Sequence, residues 1–248
     1  MNTKHILRIL IGVVVAAIGT WQLNNQGSNP SGQPRDPYEK TQRSQNTKVD
    51  NHKQGRSHEA GVAGDFDYYL VSLSWSPAYC QSHPQDQRQC GGRGFGFVLH
   101  GVWPQKLAGG YPQDCPVTSQ PSSATVQRTL AFMPSEKLIN HEWTKHGTCT
   151  GLTADAYFDL ADKAFGAIKQ PPLFQAPDQA RSLTAGQIIA EIVAANPNIG
   201  ADSLAIKCSN SELEEVRVCM NPQLKPIACG KGVRTQCGKE PVQIRALR

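Results

Sequence analysis

Apolar and polar residues along the chain fall into three regimes. Residues 9 to 21 form an uncharged apolar run behind Lys4, His5 and Arg8. This is the layout of a secretory signal, and it is shorter than the roughly 20 residues that span a membrane comfortably. The small residues around Ala16 to Thr20 offer only a loose cleavage site, so segment 1–23 reads as a signal peptide or a signal anchor. From 24 to 64 the chain is rich in Asn, Gln, Ser, Gly, Pro and charge, with hardly an aliphatic side chain. Such a stretch cannot bury enough apolar surface to offset chain entropy, which predicts a disordered polar linker. Apolar patterning resumes at Phe66, and 65–248 reads as one catalytic domain.

Within that domain, Tyr68 to Trp75 is a run of β-formers with partial alternation, stopped at Ser76-Pro77, and predicts the first core strand. A second strand is expected from Phe95 to His100, after the turn at Gly91-Gly92 and before Trp103-Pro104, with His100 at its end. Helices are expected around Lys137 to His146, from Asp155 to Ile168 behind Thr153 as N-cap, and from Ala185 to Ala195 with Thr184 as cap and Asn196-Pro197 as stop. Strand-like pieces return at Leu204 to Lys207, Val216 to Cys219 and Val242 to Leu247. Strands and helices are segregated rather than alternating, which favours an α+β fold with a central, mostly antiparallel sheet.

The net charge of +5 changes this picture little. Residues 1 to 64 hold eight Lys/Arg against four Asp/Glu and the remainder seventeen against sixteen, so the domain is nearly neutral. Any case for a nucleic-acid substrate therefore has to come from a site. The eight cysteines all follow the export segment, an even number that argues for four disulfides, and they lack the C-x-x-C pairs of structural zinc.

Two segments concentrate chemistry: Phe97 to Pro104, and His141-Glu142-Trp143-Thr144-Lys145-His146-Gly147-Thr148-Cys149. On a helix Glu142 and His146 share a face at i and i+4, as do His141 and Lys145. A zinc-protease helix needs its histidines four apart. His141 and His146 are five apart, rotated by roughly 140°. Lys145 would repel a divalent cation yet favour a phosphate or an anionic phosphorane. Cleavage of RNA through its own 2′-hydroxyl needs a base, an acid and a positive group, and histidine suits both proton transfers because its unperturbed pKa is about 6.5.

Taken singly, His100, Lys145, Trp103 and Trp143 would each more often be structural. Together, His100-Gly101-Val102-Trp103-Pro104 and His141 to Cys149 resemble the two active-site segments of the ribonuclease T2 family, H-G-L-W-P and H-E-W-x-K-H-G-T-C. Ser74 to Cys80 resembles the family's opening strand and cysteine. The resemblance implies a disulfide-stabilised ribonuclease T2-like fold and a secreted endoribonuclease, periplasmic or extracellular, cutting single-stranded RNA with low base specificity. It implies a 2′,3′-cyclic phosphate followed by a 3′-phosphate, and no metal or other cofactor. His100, Glu142, Lys145 and His146 would be catalytic, with His146 as base and His100 as acid, while His141 and Trp103 bind substrate. The implied pairs are Cys80 with Cys90, Cys115 with Cys149, Cys208 with Cys237, and Cys219 with Cys229.

Val102 departs from the family's leucine. Ser74 stands where many relatives carry a base-binding glutamine, and Tyr111 is a further base-site candidate. The RNA substrate is the expected partner, with transient membrane attachment through the N-terminal segment, no obligate protein partner and a monomeric state. A metal-dependent phosphodiesterase, an inert RNA-binding module and a structural envelope protein are the competing readings.

Overall fold

The computed structural model describes residues 60–175 and 177–247. The expected signal segment and linker residues 24–59 lie outside the described residues. Residues 60–64, expected in the linker, are tied to the domain: the Gly61 N–H donates to the Gln113 carbonyl and the Gly64 N–H to that of Cys149, both at 2.9 Å.

Strand β1 (Tyr68–Trp75) is buried along nearly its whole length because it lies inside the sheet. It pairs antiparallel with β2 (Phe97–Gln105) on one side and with β5 (Glu212–Met220) on the other. Strand β4 (Leu204–Ser209) pairs antiparallel with β5, and β3 (Arg181–Leu183) with β6 (Val242–Ile244). The single β5–β6 pairing, Glu212 with Gln243, is parallel, so the described sheet is mostly antiparallel as expected.

The helices are α1 (Ser76–Ser82), α2 (Gln87–Cys90), α3 (Ser123–Thr129), α4 (Glu136–Lys145), α5 (Ala154–Gly166), α6 (Pro172–Gln175) and α7 (Ala185–Ala195). Their starts follow side-chain chemistry. Ser122, Ser135, Thr153 and Thr184 each accept a first-turn N–H, and Gln187 completes a capping box with Thr184. Ser76-Pro77, which ends the strand as expected, also opens α1, with the proline in the first turn where a missing N–H costs nothing.

One face of the sheet carries the main core. Val71, Leu73, Trp75, Leu99, Val102, Val216 and Val218 pack there against Ile139, Trp143, Tyr157 and Phe158 of the helices. Trp143 is fully buried and its Nε1 donates to the Ser119 carbonyl at 2.7 Å, so it is a core residue. A smaller cluster of Tyr68, Leu70 and Cys219 lies on the opposite face, with Trp103, Ile227 and Val233 against it.

All four implied disulfides form: Cys80–Cys90, Cys115–Cys149, Cys208–Cys237 and Cys219–Cys229. Cys115–Cys149 bridges 34 residues and anchors the 3₁₀ turn Gly147–Thr150 directly behind α4. Replacing both cysteines with serine should cost roughly 2–5 kcal/mol in chemical denaturation. It should also lower RNA turnover, since the turn continues from His146. Wild-type turnover in the folded double variant would confine the bridge to stability.

Candidate active site

The second strand is where prediction and structure differ most. It runs on through Trp103-Pro104 to Gln105, so His100 sits in mid-strand and not at its end. Strand β2 pairs only with β1 within the sheet, and an edge strand tolerates a proline that cannot donate. The register jumps here: Ser72 faces Gly101 and Leu73 faces Leu99, leaving His100 as the extra residue of a β-bulge. The bulge turns the histidine away from the main core, toward the face bearing Glu215 and Arg217 of β5.

His100 meets two buried carboxylates. Its Nδ1 lies 2.8 Å from Glu215 Oε1, and its Nε2 lies 3.7 Å from Glu142 Oε1. Glu142 arrives from α4, fully buried, and its Oε2 accepts the Trp103 indole N–H at 2.6 Å. Only glycine fits between them. A Cβ at Gly101 would stand 2.2 Å from Glu142 Oε2 and 2.3 Å from Trp103 Nε1. His146 is the C-cap of α4, its own N–H still donating to the Glu142 carbonyl at 3.1 Å. The Trp103 ring stands between the histidines, 5.1 Å from His100 and 5.4 Å from His146 by centroids.

Burial acts on the two imidazoles alike, but their neighbours do not. At His146 burial is the main cause of a pKa well below the usual value, and the positive charges of His141, His100 and Lys145 push the same way. At His100 burial also opposes the charge, but the hydrogen bond and charge of Glu215, with that of Glu142, outweigh it and raise the pKa. Burial pushes Glu142 up to about 7, assisted by the nearby Glu215 charge and opposed by His100 and the Trp103 N–H. Burial opposes ionisation of Glu215 too, yet Arg217, His100 and Lys207 hold its pKa well below the carboxylate range. The two imidazoles flanking Trp103 are thus pulled in opposite directions, His146 toward the neutral form and His100 toward the cation.

These side chains open onto a cavity of about 240 Å³, lined by His100, Trp103, Tyr111 and His146 together with Lys207, Arg217 and Lys231. The loops after β2 and β5 wall it together, the Lys231 N–H donating to the Leu107 carbonyl at 2.9 Å. Among the predicted site residues, His100, Trp103, His146 and Tyr111 reach this cavity, with Glu142 buried behind Trp103 and His100. Lys145 does not line it: its ammonium pairs with Asp114 at 2.9 Å. His141 and Ser74 lie outside the lining as well. Among the described residues no group of three His, Cys, Asp or Glu side chains converges as a metal ligand set.

Sequence reasoning missed Glu215, Arg217 and Lys207. A signal was present in Glu215-Val216-Arg217-Val218, where charges alternate with valines. A charged residue in a strand buried on both faces needs a partner, and here that partner is a histidine 115 residues earlier.

The fold has close counterparts. An RNase-related protein from Calystegia sepium aligns with a TM-score of 0.59 at 22% identity, covering 71% of this chain and 96% of that one. A crystal structure of an RNase MC1 mutant in complex with 5′-UMP gives 0.55 at 24% identity, covering 70% and 96%. In sequence, a ribonuclease of Aeromonas hydrophila is 48% identical over 101 residues, 41% of this chain and 46% of the relative. A probable ribonuclease of Haemophilus influenzae is 37% identical over 121 residues, 42% and 44%. The chain spans about half the length of these bacterial relatives. The model of the Ribonuclease T2 family matches residues 66–229, more than half of the sequence, and the chain belongs to that family.

Proposed function

We propose that the protein is an exported endoribonuclease that cleaves single-stranded RNA without a metal ion. The observation that carries this reading is the opposite polarisation of two imidazoles at one cavity: His146 neutral by burial, His100 kept protonated by Glu215. His146 takes the proton of the 2′-hydroxyl. The 2′-oxygen bonds to phosphorus as the bond from phosphorus to the 5′-oxygen breaks, and His100 gives its proton to that oxygen. A 2′,3′-cyclic phosphate results. In a second step, with the roles exchanged, water opens it to a 3′-phosphate.

Glu142, neutral or charged near pH 7, supports both Trp103 and His100. Lys145 engages the phosphate by exchanging Asp114 for it, and His141 acts on the site through its charge beside His146. Stacking between Trp103 and Tyr111 tolerates any base, in keeping with low base specificity. Segment 1–23 directs export and 24–59 tethers the domain, which acts as a monomer. The disulfides suit an oxidising compartment.

The test is cleavage of single-stranded RNA by the oxidised full chain in excess EDTA, with product ends identified by mass. Cyclic phosphates and 5′-hydroxyl ends are expected. Cleavage only after a divalent metal is restored, or ends bearing a 5′-phosphate, would overturn the mechanism, and binding without cleavage would favour an inert RNA-binding module.

A further inference from the structure

The proposed chemistry leaves three cations of the cavity lining unused. They stand on separate elements and together form a cationic wall: Lys207 on β4, Arg217 on β5 and Lys231 on the loop after β5. Lys207 and Arg217 are largely buried. Burying two cations beside a cleavage site is costly unless anions meet them, and the protein supplies only part of that charge. Lys207 donates to Glu214 at 2.7 Å and stands 3.9 Å from Glu215 Oε1. Arg217 places Nε and one terminal nitrogen on Glu215 Oε2, at 2.8 and 2.7 Å, and its guanidinium carbon lies 5.6 Å from the Trp103 ring centroid. Its other terminal nitrogen has no acceptor among the described residues, and neither does the exposed Lys231 ammonium. Against these three cations stand Glu214 and Glu215, so the wall keeps a net positive charge before His100 is counted.

The position matters as much as the charge. Glu215 Oε1 lies 2.8 Å from His100 Nδ1 on one side and 3.9 Å from the Lys207 ammonium on the other. Glu215 thus stands between His100 and the Lys207 ammonium, so these cations begin one carboxylate beyond His100.

Resting on the proposed ribonuclease reading, we infer that Lys207, Arg217 and Lys231 form a second phosphate subsite. It holds the phosphodiester next to the one being cut. A guanidinium with a free edge and two ammonium groups is the donor set that a phosphate monoanion or dianion takes up. The enzyme would accordingly prefer chains over isolated dinucleotides, and part of its salt sensitivity would reside at this wall.

The test compares three substrates: a dinucleoside monophosphate, the same compound with an added 5′-terminal phosphate, and the same with an added 3′-terminal phosphate. The extra phosphate at the correct end should raise kcat/KM about tenfold, the effect of one charge-assisted hydrogen bond. Its rate should also fall more steeply with salt, by roughly 0.7 in log–log slope. Whichever end gives the gain tells on which side of the scissile bond the subsite lies. In Lys231→Ala and Lys231→Glu the ratio between phosphorylated and plain substrate should fall toward one.

Equal kcat/KM for all three substrates in the wild type would overturn the subsite, as would a gain that persists in both Lys231 variants. The 2′-deoxy analogues, which lack the nucleophile, give the same comparison by calorimetry as a ratio of Kd values. Tighter binding of a phosphorylated analogue, lost in Lys231→Ala, would support the subsite even if no RNA were cleaved. That result would defeat the ribonuclease reading alone.

Discussion

Replacing His146 with alanine, or His100 with asparagine, should lower kcat/KM for single-stranded RNA by roughly 10²- to 10⁴-fold, the usual contribution of a positioned acid or base. Asparagine is chosen at position 100 because it keeps a donor toward Glu215, which alanine would remove. The wild-type pH profile fixes the roles. The base must be neutral, and the lowered pKa of His146 keeps it so below pH 6.5, extending activity on the acid side. The acid must be protonated, and the raised pKa of His100 keeps it so above pH 6.5, extending activity on the alkaline side. A bell with its plateau across pH 6.5 follows.

Glu215→Gln then becomes diagnostic. It removes the Glu215 charge that raises the His100 pKa, leaving burial and the Lys207 charge to lower it against Glu142 alone. The alkaline limb should move to lower pH while the acid limb stays nearly in place. An alkaline limb that does not move in a correctly folded Glu215→Gln protein would mean that His100 is not the acid, or that Glu215 does not hold it. Glu142, pushed up to about 7, titrates inside this window, and its ionisation raises His100 further.

The second large effect is expected at a residue with no chemistry of its own. In Gly101→Ala the new methyl group meets Glu142 Oε2 and the Trp103 indole nitrogen at barely more than 2 Å. Neither neighbour can withdraw easily, because they are joined to each other at 2.6 Å and Glu142 is fully buried. Relief requires moving the carboxylate that faces His100 or shifting the edge strand. Overpacking of this kind costs roughly 1–3 kcal/mol, a loss of several degrees in Tm for a domain of this size. Turnover should fall by more than tenfold, since the displaced groups stand beside both histidines. Gly166→Ala is the control: its Cβ meets nothing within 4 Å at the end of α5, and it should be neutral or slightly stabilising. A Gly101→Ala protein that melts and cleaves like the wild type would show that the Glu142–Trp103 contact gives way without consequence.

The local elements were set by local chemistry, and there the sequence is informative. Tyr68 to Trp75 forms the first strand, and α7 occupies Ala185–Ala195 behind its Thr184 cap, because alternation and capping act within a few residues. The helix bearing Glu142 and His146 is legible for the same reason, and so are the two histidine segments and the family they point to. Long-range relations are different. Helices α1 and α3 were not anticipated, and the second strand was cut short at His100 because Trp103-Pro104 reads locally as a stop. Only the position of β2 at the sheet edge makes that proline harmless, and only its register against β1 creates the bulge that aims His100.

The same limit applies to the site. Sequence by itself marked the candidate reactive groups: two histidines, a carboxylate and a lysine, in segments whose composition suits an anionic transition state. Tertiary structure alone decided the direction in which each titration is shifted. It brought Glu215 from β5 across one intervening strand to His100, set the positive charges of His141, His100 and Lys145 near His146, and turned Lys145 toward Asp114. A pKa depends on which charges lie within a few ångströms and how much water is excluded, and both are set by contacts between residues far apart in the chain.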